Sequence, residues 1–183
     1  MFLIKDDRQI AALGSPVRLA ILDTLDAGGP APVSDLARIL GLRVDGLYYH
    51  LRILAKHKLV SMKDDVVRGR KAAIVDLPAR PLKIVYRPEQ RANTKAVVRA
   101  AGAMLRGALR MFTRAFALSP HVSGKRRELW AAQRIGRLTA RELEQVNAHL
   151  QQVLDILEHS RSDIAKDGRR LYSVAFVLSP FLP

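Results

Sequence analysis

Between Val33 and Val60 the chain reads VSDLARILGLRVDGLYYHLRILAKHKLV, and few folds accommodate that order of residues. Ala37 stands one helical turn before Gly41. A small residue there lets two helices cross closely, and glycine accepts the positive φ that a tight inter-helix turn often demands. Leu47, Leu51 and Leu54 then recur at i, i+4 and i+7, which makes one buried face of a second helix, predicted over 44–57. Tyr48, Tyr49, Arg52 and Lys56 occupy its other side. A helix with one apolar face and one basic, aromatic face suits a DNA groove.

The residues that follow predict a hairpin. Leu59, Val60 and Met62 open an apolar stretch, Val66 and Val67 continue it, and Ala72 to Leu77 resumes it. Arg68-Gly69-Arg70-Lys71 interrupts the two runs. Two short strands around a glycine turn form a hairpin, and three cations at its tip have an obvious use beside a phosphate backbone. Upstream, Ser15-Pro16 predicts a helix start, because serine caps well and proline is tolerated at the first helical position. Val17, Ala20, Ile21, Leu22 and Leu25 give that helix an apolar face, and Gly28-Gly29-Pro30 ends it. Three helices followed by a hairpin make a winged helix.

LGSPVRLAILDTL, DLARILG, LYYHLRILAKHKLV and RGRK, in that order, resemble the ArsR-type winged-helix transcription regulators of prokaryotes. The resemblance covers roughly 11–78, about one small domain, and His50 to Val60 is its most specific element. It implies a homodimer that binds operator DNA and responds to an effector. Two features depart from the pattern. The metal-sensing branch carries a cysteine box in the helix equivalent to Val33–Leu40, and this chain has no cysteine. Gly46 sits inside the recognition helix, where glycine costs about 1 kcal/mol relative to alanine.

Composition bounds the alternatives. The chain has 183 residues, room for one domain plus an extension. No run reaches the roughly 18 apolar residues of a membrane helix, and the N-terminal apolar stretch stops after four residues, so no signal peptide or membrane partner is expected. The absence of cysteine fits a cytoplasmic location. The net charge of +14 is uneven: residues 1–88 carry +6, residues 89–138 carry +9 and residues 139–183 carry −1.

The second half reads as helical. Glu89 to about Leu118 is free of proline, with a seam at Val97, Ala101, Met104, Ala108, Met111 and Ala115. Arg91, Lys95, Arg99, Arg106, Arg110 and Arg114 lie along it as a solvated face. Leu82 to Tyr86 is expected as a short strand, and Leu129, Trp130 and Ile135 as a strand or short helix with Trp130 in a core. Thr139 to Glu142 is a capping box opening a helix whose seam is Leu143, Val146, Leu150, Val153 and Leu157. Leu171 to Leu178 has the length and apolar content of a buried strand.

The fold expected is therefore mainly α with a small β component. A winged helix-turn-helix occupies 1–80, and a helical dimerisation and effector-sensing region with a few short strands occupies 81–183. No G-x-S-x-G, H-E-x-x-H or Walker loop is present, so no enzyme is expected. Asp155 and His159 are i, i+4 on one helix, yet lack the further ligands a metal needs, so no metal or cofactor is assigned. The expected partners are double-stranded DNA and a second copy, with a small-molecule effector in an apolar pocket within 89–178 as an added input. Arg68, Gly69, Arg70, Lys71 and Lys56 would meet phosphates, and Arg43, Val44, Asp45, Tyr48, Tyr49 and Arg52 base edges or nearby phosphates. Asp45 repels phosphate and suits the helix N-terminus or a cytosine amine. The rival reading is a winged helix used as a protein-interaction module.

Overall fold

A computed structural model describes residues 1–67, 69–160 and 170–181. The chain divides into two compact units, one formed by Met1–Gly107 and the other by Ala108–Ser160 with residues from Leu171 onward.

In the first unit three helices carry the core. Helix α2 is Pro16–Gly28, α3 is Val33–Leu40 and α4 is Val44–Lys56, with the six-residue α1, Asp7–Ala12, ahead of them. Leu47, Leu51 and Leu54 of α4 are fully buried, and Ile21, Leu22 and Leu25 of α2 and Leu36 of α3 close around them. Proline starts α2 as the sequence predicts, although the Ser15 side chain makes no capping bond.

Helices α3 and α4 end in the same way. After α3, Gly41 takes the left-handed conformation, its N–H donates to the Arg38 carbonyl at 3.3 Å and the Leu42 N–H to the Ala37 carbonyl at 2.9 Å. After α4, Lys58 has φ 57°, and the N–H groups of Lys58 and Leu59 donate to the Ala55 and Leu54 carbonyls, each at 2.9 Å. Both are Schellman terminations, which satisfy otherwise orphaned carbonyls.

Strands β3, Ser61–Val67, and β4, Arg70–Asp76, form the expected hairpin. A third strand, β2, Ala31–Pro32, adds to β4, giving the antiparallel order β2-β4-β3. The Arg80 guanidinium ties the root of this sheet to α2. It donates to the Leu25 carbonyl at 3.1 Å and pairs with Asp76 at 2.5 Å.

A two-stranded parallel sheet joins β1, Phe2–Ile4, to β5, Leu82–Ile84, so the strand expected over 82–86 ends two residues earlier. Next to it lies a polar cluster. Asn93 is 1% exposed, accepts from the Arg87 N–H at 2.8 Å, and donates to Asp7 at 3.0 Å and to the Val85 carbonyl at 3.3 Å. The Arg87 guanidinium completes the cluster on Asp7 at 3.2 Å. A buried amide satisfied on both sides costs little, while losing any partner leaves a polar atom stranded.

Helix α5 is Arg91–Ala115, but its buried face is not the expected seam. Asn93, Ala96, Ala100 and Ala103 are buried, and Gly107 comes within 3.7 Å of Pro16 measured from an added Cβ. This face is made of small residues, which permit close approach, whereas apolar bulk selected positions turned away from it. Val98, Leu105 and Leu109 remain exposed.

In the second unit, α6 is Ala140–His159, opened by the expected capping box, with the Glu142 N–H on the Thr139 hydroxyl at 3.3 Å. None of its residues is buried. Two expectations fail here. Residues 129–135 form neither strand nor helix, and Trp130 is 70% exposed, with the Arg127 guanidinium 4.1 Å from its ring centre. Residues 171–178 are irregular and Leu171, Tyr172, Val174, Val177 and Leu178 are all exposed, so they are not a buried strand. Apolar content alone did not provide a neighbouring strand to pair with.

Candidate nucleic-acid interface

Burial of Leu47, Leu51 and Leu54 fixes what α4 shows outward. Asp45, Tyr49, Arg52 and Lys56, spaced i, i+4, i+7 and i+11, line the opposite side and are all exposed. Val44 is exposed on one flank. Beside it Tyr48 is half-buried and packs against the core, so part of this ring is structural. Arg43 is the N-cap residue in extended conformation, and its guanidinium lies 4.0 Å from the Asp45 carboxylate. Asp45 sits in the first turn, where a negative charge favours the helix N-terminus. A pair this exposed is worth little to stability, so both side chains are free to serve a ligand.

Gly46 faces open space: a Cβ built there meets nothing within 4 Å. No packing requirement in the chain itself explains the glycine.

The inner side of α4 is tuned by residues that sequence reading passed over. His50 is half-buried, its ring edge-on to Tyr49 with centroids 5.3 Å apart. Its Nδ1 has no hydrogen-bond partner among the described residues. Burial and then the positive charge of Arg18 hold the imidazole below its ordinary pKa. Arg18, on α2, donates from Nε to the Ala12 carbonyl, and burial lowers its own pKa while Tyr49 opposes that shift. No sequence motif marked Arg18, because its partners come from α1 and α4.

The hairpin register runs from Ser61 opposite Asp76 to Val67 opposite Arg70, leaving a two-residue turn. Gly69 in that turn has φ 76°, a conformation that glycine alone takes freely. Lys71, opposite Val66, is exposed. Arg68 and the side chain of Arg70 lie outside the described residues. Below the tip, Asp64 and Asp65 are also exposed. They flank a cleft of about 190 Å³ with Pro30, Ser61, Lys63, Ile74 and Asp76. The wing is therefore polarised, cationic at its tip and acidic behind it, which confines phosphate contact to the tip.

Elsewhere, a cleft of about 510 Å³ is lined by Pro88, Glu89, Arg91, Thr94 and Lys95, a polar set. The Asp155 and His159 side chains do not converge. His159 Nδ1 meets the Asp155 main-chain carbonyl at 2.6 Å, while the carboxylate accepts from Gln151 at 2.8 Å.

A helix-turn-helix domain family matches residues 13–62, which span α2, α3, α4 and the start of β3. No curated protein matches the chain. The chain thus carries a helix-turn-helix of the DNA-binding, regulatory kind in the segment where the exposed face of α4 is built.

Proposed function

We propose that the protein is a sequence-specific transcriptional regulator of the ArsR type, cytoplasmic, acting as a homodimeric repressor on operator DNA. The observation that carries this reading is the outward face of α4. Tyr49, Arg52 and Lys56 stand exposed in register along a helix whose back is locked into the core. Such a helix enters a major groove with Arg52 able to fork onto guanine and Tyr49 beside it. The wing tip, Arg68 to Lys71, neutralises flanking phosphates. Residues 81–183 hold two copies together, because one winged helix reads few base pairs and two-fold pairing multiplies both affinity and specificity. An effector acts through the same region.

The experiment is a selection of bound sequences from random duplex DNA, followed by affinity against salt for two variants. Arg52→Ala costs about 1–3 kcal/mol on the selected site and much less on random DNA. Arg70→Ala weakens both DNAs alike and lowers the salt slope by about one unit, since a phosphate contact releases counterions whatever the sequence. If neither substitution alters DNA binding, the exposed face of α4 serves a protein partner instead.

A further inference from the structure

Helix α5 carries a second apolar seam that the chain itself leaves uncovered. Val98, Gly102, Leu105, Leu109, Phe112 and Phe116 alternate by four and three, and Leu109 and Phe116 are 64% and 58% exposed. Helix α6 carries another, Leu143, Val146, Leu150, Val153 and Leu157, with no residue buried. The two helices are opposite in charge. Residues 91–115 hold six cations and no acid, whereas residues 140–159 hold four acids and one arginine. We infer that α6 of one copy lies antiparallel on this seam of α5 in a second copy, and reciprocally. This rests on the homodimer reading above and names the surfaces that make it.

Three features select the pairing. First, the spacings match. With Leu109 opposite Leu150, an antiparallel alignment sets Phe116 against Leu143 and Gly102 against Leu157, so the glycine leaves room for a leucine. Second, the charges select the direction. At about 100° per residue, Arg99, Arg106 and Arg110 lie on one rotational side of the α5 seam, and Glu144 and Glu158 lie on the same rotational side of theirs. Flanks of equal sense meet only when the helices run antiparallel. Third, the other flank fits by size. Ala101 and Ala108 border the α5 seam, and Ile156, 69% exposed, borders that of α6. Within one copy α6 does not close this surface, so the occupant is the second copy, and two-fold exchange satisfies both seams at once.

The chain has no cysteine, so engineered ones report without background. Full-length Leu109→Cys and Leu150→Cys proteins, one carrying a mass tag, are mixed and oxidised. The expected product is a disulfide between the two different chains, with neither variant linking to itself. Self-linking of Leu109→Cys, or an intramolecular bond in a chain bearing both substitutions, overturns the pairing. A second pair of variants does not depend on cysteine geometry. Arg106→Glu with Arg110→Glu, or Glu144→Lys with Glu158→Lys, weakens dimerisation about tenfold through like-charge repulsion. All four together restore it to within about threefold, as a coupled cycle requires. A full-length protein that sediments as a monomer at micromolar concentration removes the dimer and this pairing with it. A dimer that persists without the 109–150 link and without charge rescue keeps the dimer and removes this pairing alone.

Discussion

Helices α4 and α6 have the same kind of apolar repeat and opposite fates. In α4, Leu47, Leu51 and Leu54 are fully buried by α2 and α3. In α6, Leu143, Val146, Leu150, Val153 and Leu157 stay at least partly open. A helical repeat states that a face will be covered. It does not state by what. Around α4 the chain supplies the cover within about thirty residues, through turns that fold back at once. Around α6 the neighbouring segments, 119–138 and 171–181, are irregular and expose Trp130, Ile135 and Val177.

The largest effect that separates the two is a truncation in each seam. Leu51→Ala leaves a cavity in a closed core and costs about 2–5 kcal/mol. Leu150→Ala leaves the unfolding of the first unit unchanged and acts on self-association instead. Denaturant unfolding followed by the near-ultraviolet signal of Tyr48 and Tyr49, with sedimentation in parallel, measures both. Equal destabilisation by the two variants would erase the contrast.

A smaller effect compares the two helix ends. Gly41 and Lys58 fill the same left-handed position in the same termination. A non-glycine residue there costs about 1 kcal/mol. Lys58→Gly therefore stabilises the first unit by up to about 1 kcal/mol, and Gly41→Ala destabilises it by a similar amount. An unchanged midpoint for Lys58→Gly shows that the lysine is accommodated without strain.

The smallest effect is pH-dependent. Burial and Arg18 keep His50 neutral in the fold, below its ordinary value of 6.5. The unfolded chain then takes up the proton first as pH falls through 6.5. Stability from this residue is complete above that pH and declines below it, down to the lowered folded value. The stability difference between the native chain and His50→Gln, measured at pH 7.5 and 5.0, isolates the contribution from the carboxylates. A difference that grows in favour of the native chain on acidification contradicts the assignment.

The sequence made the reading helix legible because its signals are local. Leucines at one helical spacing, Gly41 at the turn and a cationic glycine hairpin all lie within 45 residues. What it hid depends on distant partners or on small residues. The α5 face against the first unit is Ala96, Ala100 and Ala103 around the polar Asn93, which hydropathy ranks below Leu105 and Leu109. Strand β2 is two residues long and contains proline, so only β4 beside it makes it a strand. The left-handed Lys58 carries no glycine to announce it. Trp130 is apolar enough to suggest a core, yet a stacked arginine leaves it facing solvent. Within the wing, the cations at the tip drew attention away from Asp64 and Asp65, which decide how far along the hairpin a phosphate is welcome.

Arg80 gives the wing a fulcrum. By holding the Leu25 carbonyl and Asp76 together, it fixes the end of β4 to a helix that belongs to the core. The hairpin then behaves as a cantilever, clamped at Asp76 and free at Gly69. Motion grows towards the tip, so amide exchange should be slow at Val75 and fast at Val66. A clamped arm arrives at a groove already aimed, and only its last few residues surrender freedom on contact.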